Sequence, residues 1–137
     1  MRASGIVVLC ALALLGCESE GGDGGGADVS EAEPTLSRVT AEVFKVSCAF
    51  SSCHAGGKPA SGLSLDGSAH GKLVGVASKG APGRTLVVAG DPDASYLVEK
   101  LSKDKPEAGG RMPVNGTLDA ERLELVRDWI AAGAKDD

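Results

Sequence analysis

Cys48-Ala49-Phe50-Ser51-Ser52-Cys53-His54 is the stretch on which the reading of this chain turns. Two thiols followed at once by an imidazole suit covalent haem attachment. The thiols add across the porphyrin vinyl groups, and the histidine after the second thiol reaches the iron. The commonest spacing places two residues between the cysteines, whereas Ala49 to Ser52 places four. Two other chemistries use the same residues. A Cys48–Cys53 disulfide would close a short loop and leave His54 incidental. A zinc ion needs four ligands, and beyond Cys48, Cys53 and His54 only His70 and carboxylates remain.

Upstream, a basic start at Arg2 leads into the apolar run Ile6 to Leu15. That run is short of the ~20 residues that span a bilayer, and it has the form of a signal-peptide core. It closes on Leu14-Leu15-Gly16-Cys17, which resembles the bacterial lipoprotein box. The resemblance implies that residues 1–16 are a lipoprotein signal peptide and that Cys17 becomes the acylated first residue. Residues 17–34 continue as ESEGGDGGGADVSEAEP after the cysteine, rich in glycine and acid, and read as a flexible tether. Cys10 leaves with the signal peptide and Cys17 takes lipid. Cys48 and Cys53 are then the remaining pair, in an oxidising compartment.

Residues 35–137 form one folded domain. Aromatic residues make up only 3% of the chain, namely Phe44, Phe50, Tyr96 and Trp129. So short a domain has little apolar area to spare, and a bound porphyrin would supply some. The formal net charge is −5 with no basic run, which disfavours nucleic acid. An acidic carrier would meet partners bearing basic patches.

The first helix is expected over 35–47, capped by Thr35, with Leu36, Val39, Val43 and Phe44 as its apolar stripe. Glycine and proline punctuate 55–90 too densely for long elements. One turn of helix is expected over 68–74 and a short strand over 86–88. A second helix is expected over 92–101, with Asp91 as N-cap and Pro92 at the first position. A loop over 102–117 follows. The last helix, over 120–132, has Asp119 as N-cap, Leu118 and Leu123 in staple positions, and Gly133 as its stop. Leu123, Val126, Trp129 and Ile130 share one face.

This order resembles the class I cytochrome c fold. More closely, it resembles a cytochrome c-like domain common in lipoproteins of myxobacteria and planctomycetes. The residues that carry the likeness are Phe44 through His54, Gly62-Leu63-Ser64-Leu65, Ala89 through Leu97, Arg111-Met112-Pro113 and Trp129 through Ala134. Some bacterial cytochromes of this kind also use the four-residue spacing. The resemblance implies an all-α domain: three main helices around one haem, long irregular loops and one short strand. It implies one haem c bonded to Cys48 and Cys53, with His54 as proximal and Met112 as distal iron ligand.

Met112 is the sole methionine after the start codon, and it lies on a loop rather than on a helix face where core methionines usually pack. His70, the rival distal ligand, sits in a polar segment and reads as solvated surface. Arg111 is a candidate partner for a haem propionate. Trp129 and Phe44 read as core, and Tyr96 as a propionate contact or a cap on the core. The functional expectation is a membrane-anchored carrier of single electrons in the bacterial cell envelope, serving redox partner proteins. With six iron ligands it has no open site and is not an enzyme. The alternative is a haem-free lipoprotein binding module with a Cys48–Cys53 disulfide. A third reading has Met112 off the iron and a five-coordinate haem reacting with peroxide or a small gas.

Overall fold

The computed structural model describes residues 32–114 and 116–137. The expected signal peptide, Cys17 and most of the tether lie outside the described residues. The first helix, α1, is built of three consecutive pieces. Leu36–Val39 is α-helical, Thr40–Phe44 is a wider π-helical turn, and Lys45–Ser47 returns to α. Thr35 caps it as expected: its hydroxyl accepts the Arg38 N–H at 3.2 Å, filling one of the orphan donors of the first turn. Leu36, Val39, Val43 and Phe44 are all buried. The sequence reading saw a uniform α-helix here. The π turn, in which Lys45 N–H reaches back to Thr40 O, shifts the register just before Cys48. Such insertions are frequent at functional sites.

A 3-10 turn over Ala60–Gly62 and three further α-helices follow: α2 (His70–Leu73), α3 (Tyr96–Ser102) and α4 (Ala120–Ala131). The helix expected over 92–101 is corrected to α3. Asp91 does cap a turn, but its carboxylate takes the Ala94 N–H at 3.0 Å and stops there. Ser95 is extended (φ −78°, ψ 119°). Its hydroxyl accepts the Val88 N–H and donates to the Asp91 carbonyl. The first N–H groups of α3 are instead satisfied by tertiary carbonyls, Tyr96 on Thr85 at 3.0 Å and Leu97 on Leu86 at 2.9 Å. Helix ends need their orphan donors filled, and a neighbouring chain does so here in place of a side-chain cap. The segment 86–88 is therefore used as a docking rail. It makes isolated bridges, parallel at Val74 with Val87 and antiparallel at Val88 with Asp91, where a regular strand was expected.

The last helix matches its expected start. Asp119 Oδ1 accepts the Arg122 N–H at 2.8 Å. Gly133 follows the helix at φ +101°, a left-handed geometry that glycine adopts without strain. Val126, Trp129 and Ile130 are fully buried, with Leu123 partly so. They join Phe44, Val39, Leu73 and Val87 in one core.

The C-terminal segment then ties both ends of the domain together. Trp129 Nε1 donates to Lys135 O at 2.9 Å. Asp137 receives the Leu36 N–H on its side chain and the Ser37 N–H on its carbonyl, each at 2.8 Å. His70, read from sequence as solvated, belongs to this tie: its Nε2 donates to Ala134 O at 2.9 Å. Among the described residues no helix is long and apolar enough to cross a membrane.

Candidate functional site

The Cys48–His54 turn is organised almost wholly by its own backbone. The end of α1 widens, so that Cys48 N–H and Ala49 N–H both bond to Phe44 O, at 2.9 and 2.7 Å. Phe50 N–H then turns back to Cys48 O at 3.0 Å, and Cys53 N–H to Phe50 O at 2.8 Å. His54 N–H closes the loop on Cys48 O at 3.1 Å. The four residues between the cysteines are thus taken up by a compact hydrogen-bonded turn. The segment beyond is fastened to it by Ala60 N–H on Cys53 O and Leu65 N–H on His54 O, each at 2.7 Å.

His54 has a fixed tautomer. Its Nδ1 lies 3.1 Å from the carbonyl oxygen of Leu63. A carbonyl can only accept, so Nδ1 carries the proton, and in the neutral ring Nε2 keeps a free lone pair. A backbone carbonyl orienting the far nitrogen is the usual support for a metal-binding imidazole.

Cys48 and Cys53 are free thiols, both half-buried. Burial, with the neighbouring Cys53 second, pushes the Cys48 thiol up to about 11. At neutral pH it stays protonated, the opposite of the activated thiolate used by thiol–disulfide enzymes.

A cavity of about 520 Å³ opens beside this turn, within the usual size range of small-molecule and cofactor sites. Cys48, His54 and Met112 all line it, although Met112 is far from the others in sequence. Phe44, Leu63, Leu65, Leu86, Leu97 and Leu101 supply apolar wall. Cys53 is not part of the lining. The charged side chains in the lining are Lys72, Lys79 and Lys100, with no carboxylate among them.

Arg111, the expected propionate partner, lies elsewhere. Its guanidinium pairs with Asp104 at 2.8 Å and donates to Leu101 O at 3.3 Å, and it does not line the cavity. The cations on the cavity are the three lysines, which sequence reasoning missed. Lys72 bonds Ser64 Oγ and the Asp66 carbonyl, both at 3.1 Å. Lys79 reaches toward Gly62. Lys100 donates to Ala108 O at 3.0 Å and to Gly110 O, and its burial pulls its pKa down. A sequence signal for Lys100 existed. It stands four residues after Tyr96, on the same helical face. Tyr96 lines the cavity, and its hydroxyl donates to Ala108 O at 2.9 Å and accepts the Ala108 N–H at 3.2 Å. Among the described residues no three His, Cys, Asp or Glu side chains cluster to hold a metal ion, so the zinc reading has no ligand set there.

Comparison with family models, curated proteins and solved structures finds no match to this chain. The donor set therefore stands on its own geometry. A free imidazole nitrogen at His54, a thioether at Met112 and the Cys48 thiol meet on one apolar cavity, with Cys53 on the same turn. Haem uses this combination of nitrogen, thioether and thiol groups.

Proposed function

We propose that this domain is a c-type cytochrome: an electron carrier holding one haem c through Cys48 and Cys53, with His54 and Met112 as axial ligands. The observation that carries the reading is the convergence of His54 and Met112 on one apolar cavity, with Leu63 O holding His54 in the ligand tautomer. The haem iron supplies the one-electron chemistry, and ligation by His and Met favours the reduced state relative to many other ligand pairs. The protein's own residues position and shield. The turn 48–54 presents the thiols and the imidazole as one unit. Phe44, Leu65, Leu86 and Leu101 exclude water from the cavity wall, and the lysines bring positive charge to it. With both His54 and Met112 on the iron no position would be left for a substrate, so the proposed role is transfer rather than catalysis. Lipid on Cys17 would hold the domain at the envelope membrane, with the tether raising its effective concentration near membrane-bound redox partners.

Intact-mass measurement on protein made with cytochrome maturation machinery separates this from the haem-free binding module. The proposal requires the added mass of one haem. Loss of two hydrogens, the mark of a Cys48–Cys53 disulfide, would favour the module.

A further inference from the structure

Met112 stands on a loop, yet its approach to the cavity is set by side chains of α3. Tyr96, Glu99 and Lys100 of that helix fasten the loop to it. Glu99, only 8% exposed, accepts the Glu107 N–H on Oε1 at 2.7 Å. Its Oε2 receives Arg84 at 3.0 Å and Lys103 at 3.1 Å. Arg84 also reaches Glu107 Oε2 at 2.8 Å and lies over the Tyr96 ring, 5.3 Å from its centroid. Tyr96 Oη both donates to and accepts from the Ala108 backbone. Lys100 holds Ala108 O and Gly110 O, and its own carbonyl receives the Met112 N–H at 2.8 Å. Between these bonds Gly109 is in the left-handed region (φ +66°), with the Lys100 ammonium 3.3 Å from where a Cβ would sit. The left-handed φ favours glycine here, and a Cβ would press the end of the lysine aside.

We infer that Glu99 is a positioning residue: with Arg84 it fixes Glu107 onto α3, at the head of the segment that Tyr96 and Lys100 hold at Ala108 and Gly110, and so keeps Met112 at the cavity. This rests on the reading of Met112 as the distal iron ligand, and it adds what keeps the ligand there. The groups facing the Glu99 carboxylate are Arg84 from the segment before α3, Lys103 just past the end of α3 and the Glu107 backbone. None of them touches the 48–54 turn among the described hydrogen bonds. The clamp therefore acts on the Met112 arm alone.

The test is amide hydrogen exchange on the full chain, paired with imidazole binding by the haem-loaded protein. Glu99→Ala should raise exchange at Ala108 and Met112 roughly tenfold or more, the scale of one charge-assisted hydrogen bond. Amides of α4 should be unaffected. In the loaded protein it should leave haem attached but raise imidazole affinity by a similar factor, because Met112 yields the iron more readily. Arg84→Met, which keeps the Glu99–Glu107 bond, should give the same effects in smaller size. Arg127→Ala, which breaks the exposed ion pair with Asp93, should give neither. Unchanged Met112 exchange in both clamp variants would overturn the inference. Met112→Ala tells this failure from a failure of the ligand reading. If that variant binds imidazole no more tightly than wild type, Met112 is not the distal ligand.

Discussion

The two arms of the site are held in opposite ways. The His54 arm is held chiefly by its own backbone. Its backbone bonds run between residues 44 and 65, and the tautomer-fixing contact spans nine positions, from His54 to Leu63. The Met112 arm is held chiefly by side chains. Its loop is pinned by Tyr96, Glu99 and Lys100 on α3 and by Arg84 from a separate segment. On the proposed reading, the difference makes attachment and distal ligation separable. The first depends on a turn that carries its own instructions. The second would depend on an ion-pair cluster that can fail while the turn stays whole.

The sharpest break comes at the covalent level. Replacing both Cys48 and Cys53 with serine should abolish covalent haem, whereas Met112→Ala should keep it and lower the reduction potential. The second change should be on the order of 0.1 V, within the roughly 0.8 V over which axial ligands set haem potentials. Spectra after acid–acetone extraction, alongside redox titration, would show both. Equal haem loss in the two proteins would mean the arms are not separable.

A second expectation concerns what the arms share. Trp129 and Phe44 are fully buried in one core beneath both. Trp129→Ala should cost about 3–5 kcal/mol in denaturant unfolding. It should raise exchange in the 48–54 turn and the 107–112 loop together, whereas Glu99→Ala should affect the loop alone.

Acid should distinguish the arms next. The Glu107 N–H, followed by Lys103 and Arg84, holds the Glu99 carboxyl at about 2 against an ordinary 4.5. A carboxyl lowered on folding stabilises the fold fully above its unfolded pKa, and that contribution fades as pH falls toward the folded value. The Tm gap between wild type and Glu99→Gln should therefore be widest near neutrality and close between pH 4.5 and pH 2. A gap independent of pH would argue against a charge-held clamp. The smallest effect is at the helix start: Thr35→Ala should cost about 1 kcal/mol by removing its cap, with no change in Met112 exchange.

The same contrast explains what was legible in the sequence. Caps and stripes that use neighbouring residues were readable: Thr35, Asp119, the Leu36–Phe44 stripe and the Val126–Ile130 face all stand as read. So did the placement of Phe44 and Trp129 in the core. Features settled by distant partners were not. The start of α3 moved to Tyr96 because the Thr85 and Leu86 carbonyls, not Asp91, fill its first donors. His70 looked solvated because its partner, Ala134 O, is 64 positions away. Arg111 pairs with Asp104 and Leu101 O and does not line the cavity, and of the cavity lysines only Lys100 carried a signal, its spacing from Tyr96. The π turn before Cys48 has no composition signal that separates it from plain helix.

The central claim is that this chain carries haem c on Cys48 and Cys53. The most direct measurement is the pyridine haemochrome spectrum of the protein, produced with its maturation machinery and extracted with acidic acetone beforehand. The account predicts a c-type spectrum at one haem per chain that survives extraction. Protein that is fully folded, with both cysteines intact and no c-type absorption, would contradict it.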